Sequence, residues 1–153
     1  LEVFGQELAT EVGRRHRSPV QMMHLRNGVF DEANISVIAS ATVDEIGRLA
    51  AQRLDVRRFR PNVLIASLRS VPFEEDEWVG GVLSFGEESE AAIGITMRDE
   101  RCSMVNFDPG SARIDADVLK AIVRTRQNKA GVYGTVTRCG HLAVGQPIFF
   151  ECP

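Results

Sequence analysis

The sequence predicts a mainly β domain, a β-barrel with a few peripheral helices that is α+β by its overall content. Apolar residues lie mostly in short runs of strand length, and Gly, Pro and acidic residues separate these runs. The two amphipathic helical patterns among the runs do not alternate with strands, so a doubly wound parallel sheet is not indicated. The chain has 153 residues, which is enough for one domain with a substantial core.

The composition is that of a folded globular protein, with 44% hydrophobic and 25% charged residues. The net charge of −3 offers no basic field for nucleic acid or for an anionic membrane. The sequence has no apolar run of about 20 residues, and nothing in it resembles a signal peptide. Its three cysteines form no CxxC pair, so neither a disulfide framework nor a zinc knuckle is indicated. We therefore expect a cytoplasmic protein with no nucleic-acid or membrane partner.

The amino-terminal residues are predicted to be separate from the barrel. Residues 2–14 place apolar side chains at helical spacing, and the tripeptide "SPV" then breaks this pattern. We interpret residues 1–19 as a helical lead-in, or as the end of a preceding domain, and residues 20–153 as the barrel domain. Because the chain begins at Leu1 rather than at methionine, we expect it to be a piece of a longer protein.

The first half of the barrel domain is predicted to hold two strands and one helix. The runs "VQMMHL" (20–25) and "ISVIAS" (35–40) are rich in β-forming residues and flank a turn-like segment. The pattern Thr42-x-x-Glu45 has the form of a capping box, which predicts a helix from there to Leu54. This helix leads into a cluster of arginines.

The second half is predicted to be rich in strands, with one further helix. Asp115 is the predicted cap of a helix over residues 115–126, which buries an apolar face. Six further runs have the length and pattern of strands, and they are 62–67, 81–85, 91–97, 102–107, 131–138 and 147–151. Strands therefore outnumber helices in the domain.

Arg60 and Asn62 are the first candidates for a binding site, because they stand where the strand predicted over 62–67 begins. Pro61 favours an extended backbone at Arg60, and side chains two residues apart on a strand point to the same face. A guanidinium beside an amide suits an anionic ligand that accepts hydrogen bonds. One charge-assisted contact contributes only about 1.5–3 kcal/mol, so such a site needs several donors.

A purely structural role for these cations, including Arg57 and Arg58, is the alternative. They would then pair with the acidic run "EEDE" (74–77), or bind the carbonyl groups at the end of the preceding helix. The spacing of the residues leaves both interpretations open.

Cys102 is the second candidate, because a cysteine beside a cation such as Arg101 is suited to carry a thiolate. A nearby cation stabilises a thiolate, although adjacent side chains on a strand point to opposite faces. The alternative is that Cys102 is a small buried apolar residue, and this applies more strongly to Cys139 and Cys152. The GxGxxG, P-loop and HExxH motifs are absent from the sequence.

Five segments of the chain, taken together, resemble one known family. They are "RRFRPNVLI" (57–65), "EDEW" (75–78), "RCSMVNFDP" (101–109), "VLKAIVRTR" (118–126) and "GVYGTVTRCGHLAVGQPI" (131–148). In order and spacing they are similar, over residues 20–150, to the MOSC domain, named for the carboxyl-terminal domain of molybdenum cofactor sulfurase. The resemblance implies a β-barrel and a role around the molybdenum cofactor (molybdopterin), a pterin that carries a dithiolene and a phosphate.

The resemblance also implies roles for individual residues. In amidoxime-reducing relatives the cysteine of the "RC" pair is the thiolate ligand of molybdenum, which makes Cys102 the implied metal ligand and catalytic residue. The arginine and asparagine of "RFRPN" correspond to Arg60 and Asn62, which would contact the pterin and its phosphate. Three more positions lie close to the cofactor in similar proteins, and they are Arg101, Ser40 and Thr42. For the last two, helix capping is the alternative role.

Two features associated with the family are not expected in this chain. Amidoxime-reducing relatives carry an additional amino-terminal β-rich region with phosphate-binding basic residues, and the segment before residue 20 is too short for it. Either that region is missing from this chain, or the protein functions without it. The sulfurase also carries a pyridoxal phosphate domain, but neither Lys120 nor Lys129 is placed for a Schiff base, so pyridoxal phosphate is not expected here.

The resemblance implies an oxidoreductase that reduces N-hydroxylated small molecules, such as amidoximes and hydroxylamines, with Cys102 as the molybdenum ligand. Its electrons would come from a separate flavin, haem or iron–sulfur protein, because the chain shows no binding motif for such a group. The alternative is a non-enzymatic carrier that delivers the molybdenum cofactor, or a sulfur atom held on Cys102, to other enzymes. A third interpretation is a barrel without function in which Cys102 is simply buried.

Overall fold

A computed structural model describes most of the chain, namely residues 5–21, 32–87 and 91–152. The chain divides into two compact units, residues 1–31 and 32–153. In the first unit, helix α1 spans Gln6–His16 and buries Ala9. The strand predicted over 20–25 lies largely outside the described residues. No helix in the described part of the chain is long and apolar enough to cross a membrane.

The second unit is built on a curled sheet of six strands that forms a half-barrel. The strands are β1 (Ile35–Ala39), β2 (Val63–Ile65), β3 (Val82–Phe85), β4 (Ala91–Glu100), β5 (Lys129–Arg138) and β6 (Ile148–Glu151). Their order across the sheet is β2-β1-β5-β4-β3-β6. Strands β1 and β2 run parallel, and the other neighbouring pairs run antiparallel. The predicted fold class is confirmed.

Two α-helices and three 3-10 turns connect the strands. The helices are α2 (Ser40–Leu49) and α3 (Ala116–Arg126). We call the 3-10 turns the arginine turn (Val56–Phe59, ended by Arg60), the acidic turn (Glu74–Trp78) and the cysteine turn (Ser103–Asn106, preceded by Cys102). The arginine and cysteine turns contain the main sequence candidates.

Each face of the sheet covers a separate apolar cluster, because side chains alternate along a strand. On β1, Val37 and Ala39 join the cluster inside the half-barrel, which includes Trp78 of the acidic turn. Ile38 faces the opposite way, into a cluster with apolar side chains of both helices, among them Ile46 and Ile122. This second cluster includes residues of the arginine and cysteine turns, so both turns belong to the helix-covered face.

Local patterns predicted most elements correctly. The strands predicted over 35–40, 62–67, 81–85, 91–97, 131–138 and 147–151 are all present, with ends that shift by a few residues. Helix α3 also begins as predicted, since the Asp115 carboxylate accepts a hydrogen bond of 3.0 Å from the Asp117 N–H. The N-cap and the apolar runs are local signals, and they predicted the elements that depend on local structure.

The predicted capping box at Thr42 is wrong. Helix α2 begins at Ser40, directly after β1, and Ala39 is its N-cap without a side-chain hydrogen bond. Thr42 is fully buried, and its hydroxyl bonds to residues of another segment. The helix ends at Leu49 rather than at Leu54, because the chain turns through a left-handed conformation at Ala51 (φ 55°).

The predicted strand over 102–107 is also wrong, because Ser103–Asn106 is a 3-10 turn. Its polar groups bond to side chains and helices rather than to a neighbouring strand. The carbonyl oxygen of Asn106 accepts from the Asp115 N–H at 2.8 Å, and its side-chain oxygen accepts from the Leu119 N–H at 3.0 Å. Strand β4 therefore ends at Glu100, and the chain passes beneath α3.

Candidate functional site

The arginines of the arginine turn have different surroundings. Arg57 is exposed and pairs with Asp55 in its own segment, with 2.6 Å between Arg57 Nη2 and Asp55 Oδ2. Arg58 is buried, with 7% of its surface exposed, and its guanidinium lies 3.2 Å from Asp108 Oδ2. Arg60 is exposed, and its side chain has no hydrogen bond or ion pair to a described residue. The suggested pairing of these arginines with residues 74–77 is wrong.

Arg60 does not have the extended backbone that Pro61 predicted. Its φ of 50° and ψ of 42° are left-handed, because its N–H donates to the Arg57 carbonyl at 3.2 Å and closes the turn. Asn62 lies just before β2, where its N–H donates to the Ser36 carbonyl and its Oδ1 accepts from the Ser36 N–H, both at 2.8 Å. Asn62 thus fixes β2 against β1, and the rule of two-residue spacing does not relate it to Arg60.

Arg101 is almost fully buried, and its guanidinium binds backbone carbonyl groups. Nε donates to the Ala130 carbonyl at 2.6 Å, and Nη1 donates to the Phe59 carbonyl at 2.9 Å. The guanidinium carbon also lies 5.4 Å from the centroid of the Phe59 ring, a cation–π contact. Because Phe59 directly precedes Arg60, Arg101 holds the end of the arginine turn.

Asp99 is the counter-charge of Arg101, and sequence reasoning missed it. Its Oδ2 lies 2.9 Å from Arg101 Nη2, without the alignment of a hydrogen bond, and accepts a 2.9 Å bond from the Ser36 hydroxyl. Burial raises the pKa of Asp99 to about 6, although Arg101 and hydrogen bonds from Ser36 and Tyr133 oppose this increase. Burial likewise lowers the pKa of Arg101. The Asp-x-Arg spacing could have indicated this pair, since residues two positions apart in an extended chain lie on the same face.

Gly131 makes room for the Arg101 guanidinium. Its φ of 82° is left-handed, and a Cβ there would lie 2.8 Å from Arg101 Nη2 and 2.8 Å from the Val37 carbonyl oxygen. Any other residue would both strain the backbone and displace the guanidinium. The buried position of Arg101 therefore depends on a glycine in β5.

Cys102 follows Arg101 and has an exposed, free thiol. Its turn is fixed by Arg58, whose Nη1 donates to the carbonyl groups of Val105 at 3.3 Å and Asn106 at 3.0 Å. Cys139 and Cys152 are exposed as well, so the interpretation of all three cysteines as buried apolar residues is wrong. Cys102 differs from the other two in standing on a turn that a buried arginine holds.

Ser40 and Thr42 lie where α2 begins, beside the acidic turn. Thr42 donates to Glu75 Oε2 at 2.8 Å and accepts from the Phe73 N–H at 2.7 Å, while the Ala39 N–H donates to Glu75 Oε1 at 3.3 Å. Burial raises the pKa of Glu75, which is fully buried. The Thr42 hydroxyl is therefore engaged inside the protein. Ser40 is half-buried, and its hydroxyl has no bond to a described residue.

The six candidates all lie just after or just before a strand of the sheet. Strands β1 and β4 end at the same edge, where β5 begins, so Ser40 and Cys102 both follow strand ends there. Arg60 and Asn62 precede β2, where Asn62 bonds to Ser36 near the start of β1, while the Phe59 carbonyl before Arg60 accepts from the Arg101 guanidinium. Ser36, which binds Asn62, and Ser40, which follows the end of β1, are four positions apart, about 13 Å of extended chain. The buried side chain of Arg101 connects the two groups.

The described part of the chain contains no group of three or more His, Cys, Asp or Glu residues that could hold a metal ion. The candidate site offers other groups. Cys102 provides an exposed thiol, and Arg60 provides an exposed guanidinium that has no partner among the described residues. This arrangement can bind an elongated anion that carries a thiophilic centre.

Comparisons with known proteins identify the family and the fold. The sequence model of the MOSC domain matches residues 13–149. Mitochondrial amidoxime reducing component 2 of Bos taurus is 23% identical over 132 residues, which cover 78% of this chain and 37% of that protein. In fold, the chain is similar to the crystal structure of YiiM from Geobacillus stearothermophilus, with a TM-score of 0.58 and 20% identity. That match covers 78% of this chain and 54% of YiiM, so both relatives are considerably longer than the matched region.

Proposed function

Because this chain belongs to the MOSC domain family, we propose that it binds the molybdenum cofactor across the arginine and cysteine turns. The observation that carries the proposal is the exposed thiol of Cys102 on a turn that buried hydrogen bonds join to the turn of Arg60. The cofactor bears its metal and its phosphate at separate places, and this suits a site whose thiol and cation stand on two different turns.

Cys102 is the residue that would hold the metal. A thiolate is a soft ligand and suits a metal that dithiolene sulfur already binds. When bound, the cofactor supplies the two-electron chemistry that removes an oxygen atom from a substrate. The protein keeps the thiol exposed, and Arg58 and Arg101 hold the backbone on either side of it.

Arg60 and Asn62 are the residues that would hold the phosphate and the pterin. The Arg60 guanidinium is exposed and has five N–H donors. Asn62 uses its side-chain oxygen for Ser36, and its NH₂ group has no bond to a described residue, so it is available as a donor. Each charge-assisted bond to the ligand contributes about 1.5–3 kcal/mol to binding. Ser40 at the start of α2 offers a further hydroxyl.

The roles proposed for the remaining two candidates are indirect. Thr42 would act through Glu75, which its hydroxyl binds, and Arg101 would act through the backbone groups that it holds. Neither side chain needs to contact the cofactor for the site to form. This distinguishes them from Cys102 and Arg60.

The test is the molybdenum and pterin content of the chain after purification from a host that makes the cofactor. We expect near-stoichiometric metal in the parent, loss in Cys102→Ser, and weaker retention in Arg60→Ala. Cys152→Ser and Arg57→Ala remove an exposed thiol and an exposed guanidinium elsewhere, and they should retain the parent content. A parent without metal, or full metal in Cys102→Ser, would contradict the proposal.

We further propose that the loaded protein reduces N-hydroxylated small molecules, with electrons from a separate flavin, haem or iron–sulfur protein. The similarity to a protein named for amidoxime reduction supports this. Turnover of a hydroxylamine with a chemical reductant, in proportion to molybdenum content, is the expected result. Tight binding of the cofactor without turnover would instead favour a carrier of cofactor or sulfur, which the exposure of Cys102 also supports.

A further inference from the structure

Two buried arginines join the arginine turn and the cysteine turn in opposite directions. Arg58 stands two residues before Arg60 and binds carbonyl groups that follow Cys102. Arg101 stands one residue before Cys102 and binds the carbonyl group of Phe59, which precedes Arg60. From this reciprocal arrangement we infer that Arg58 and Arg101 are positioning residues that fix the separation of Cys102 and Arg60.

The contacts of both side chains are directed inward. Each residue is 7% exposed. Arg58 donates to two carbonyl groups of the cysteine turn and lies 3.2 Å from Asp108 Oδ2. Arg101 donates to the carbonyl groups of Phe59 and Ala130 and lies 2.9 Å from Asp99 Oδ2. With these bonds made, neither guanidinium has a free face comparable to that of Arg60.

The geometry of these contacts requires arginine. Each side chain binds two separate carbonyl oxygens and also faces a carboxylate, which a planar group with five donors can do. Lysine keeps the charge but concentrates its three donors on one nitrogen, so it cannot span the same set of acceptors. A lysine substitution therefore removes the connection between the turns while it preserves the charge.

This inference rests on the proposed function for its purpose, which is to hold the metal-binding thiol at a fixed distance from the phosphate-binding cation. Residues that orient a metal ligand from behind typically change metal affinity by about 10- to 100-fold when they are replaced. Arg58→Lys and Arg101→Lys should each weaken cofactor retention to that extent. The matched control is Arg57→Lys, because Arg57 is exposed in the same turn and pairs within its own segment.

The separation itself can be measured without the cofactor. Spin labels on Cys102 and on Arg60→Cys, in a chain with Cys139→Ser and Cys152→Ser, report it by dipolar electron paramagnetic resonance. We expect a single narrow distance distribution in the labelled parent and with Arg57→Lys. Arg58→Lys and Arg101→Lys should broaden or shift it, while thermal unfolding stays one cooperative transition.

Unchanged distances in both lysine variants would overturn the inference, and a simultaneous loss of cofactor would then show that the arginines contact the ligand directly. If Arg101→Lys does not fold, Arg58→Lys and the milder Asp108→Asn, which removes the carboxylate partner of Arg58, provide the same readout. A parent that binds no molybdenum would contradict the proposed function alone, because the distance measurement does not depend on the cofactor.

Discussion

Buried ionisable side chains bind the backbone in two regions of this protein, and they are basic in one region and acidic in the other. Where the arginine and cysteine turns meet, the buried groups are the guanidinium groups of Arg58 and Arg101, and their partners are mainly backbone carbonyl oxygens. Where α2 begins, the buried group is the carboxyl of Glu75, and its partners are the Ala39 N–H and the Thr42 hydroxyl. In each region the side chain supplies the hydrogen-bond donors or acceptors that the local backbone lacks.

The difference follows from the secondary structure. A strand that runs directly into a helix leaves N–H groups without helical partners, and Glu75 satisfies one of them, the Ala39 N–H. Short 3-10 turns between strands leave carbonyl groups without partners, and multivalent donors satisfy those. A buried ionisable side chain in this protein is therefore not by itself a sign of a ligand, whereas the exposed Arg60, which has no partner among the described residues, is the better candidate.

The largest expected effect is the loss of a buried cation. Arg101→Met leaves Asp99 buried without its counter-charge and removes the donors to Phe59 and Ala130, so it should lower the free energy of unfolding by about 3–5 kcal/mol. Denaturant unfolding measures this. Arg57→Met, at an exposed position, should change stability by less than about 0.5 kcal/mol. If both variants lowered the free energy of unfolding equally, the distinction between a buried Arg101 and an exposed Arg57 would be wrong.

The second effect is a pH dependence that Asp99 confers. Its pKa is about 6 in the folded protein, whereas the ordinary value is 3.8, so the folded chain keeps a proton that the unfolded chain releases between these values. Stability from this group is therefore greatest at acidic pH and declines as the pH rises toward 6. The decline is on the order of 3 kcal/mol, since a tenfold change in proton affinity is about 1.4 kcal/mol.

Asp99→Asn should lack this decline, so the stability advantage of the parent over the variant shrinks by that amount between pH 4 and pH 7. Urea unfolding at a series of pH values measures it. Asp44→Asn changes an exposed carboxylate on α2 and should retain the pH dependence of the parent. A constant difference between parent and Asp99→Asn would show that Asp99 does not titrate in this range.

The smallest effect concerns the start of α2. Thr42→Val keeps the shape of the side chain but removes the hydroxyl partner of Glu75 Oε2 and of the Phe73 N–H, at a cost of about 1–3 kcal/mol. Thr42→Ser keeps the hydroxyl and should recover most of this loss in thermal unfolding. Ser40→Ala should cost less than about 0.5 kcal/mol, so a reduced cofactor content in that variant would indicate direct contact with the ligand.

The sequence could predict most of the elements and indicate Arg60 and Cys102 as candidates, but it could not predict the connections between them. The Asp115 cap and the strand runs are local patterns, and the family resemblance at "RFRPN" and "RC" identified Arg60 and Cys102. Thr42 has the spacing of a capping box, yet its hydroxyl binds Glu75, 33 positions away. Such a partner is invisible to local spacing, because the fold alone brings the two residues together.

The same limitation explains the error at 102–107. Its apolar pattern is typical of a strand, but the carbonyl groups of Val105 and Asn106 are bound by Arg58, which lies 47 and 48 positions earlier. Asp99 was missed for a related reason, since its importance depends on Ser36, 63 positions away. Only the Asp-x-Arg spacing at 99–101 indicated that two charges share a face.

These long separations also determine when the connection between the two turns forms. Arg58 and Arg101 bind across 42 to 48 positions of chain, and their acceptors exist only after the sheet has formed. Such contacts are expected to be absent from the folding transition state, so lysine at either position should accelerate unfolding and leave the folding rate unchanged. Stopped-flow measurements of both rates over a range of denaturant concentrations would test this, because only the unfolding rate should change. The two arginines thus determine how long the thiol and the cation keep their relative positions. They set the lifetime of the folded site rather than the rate at which it forms.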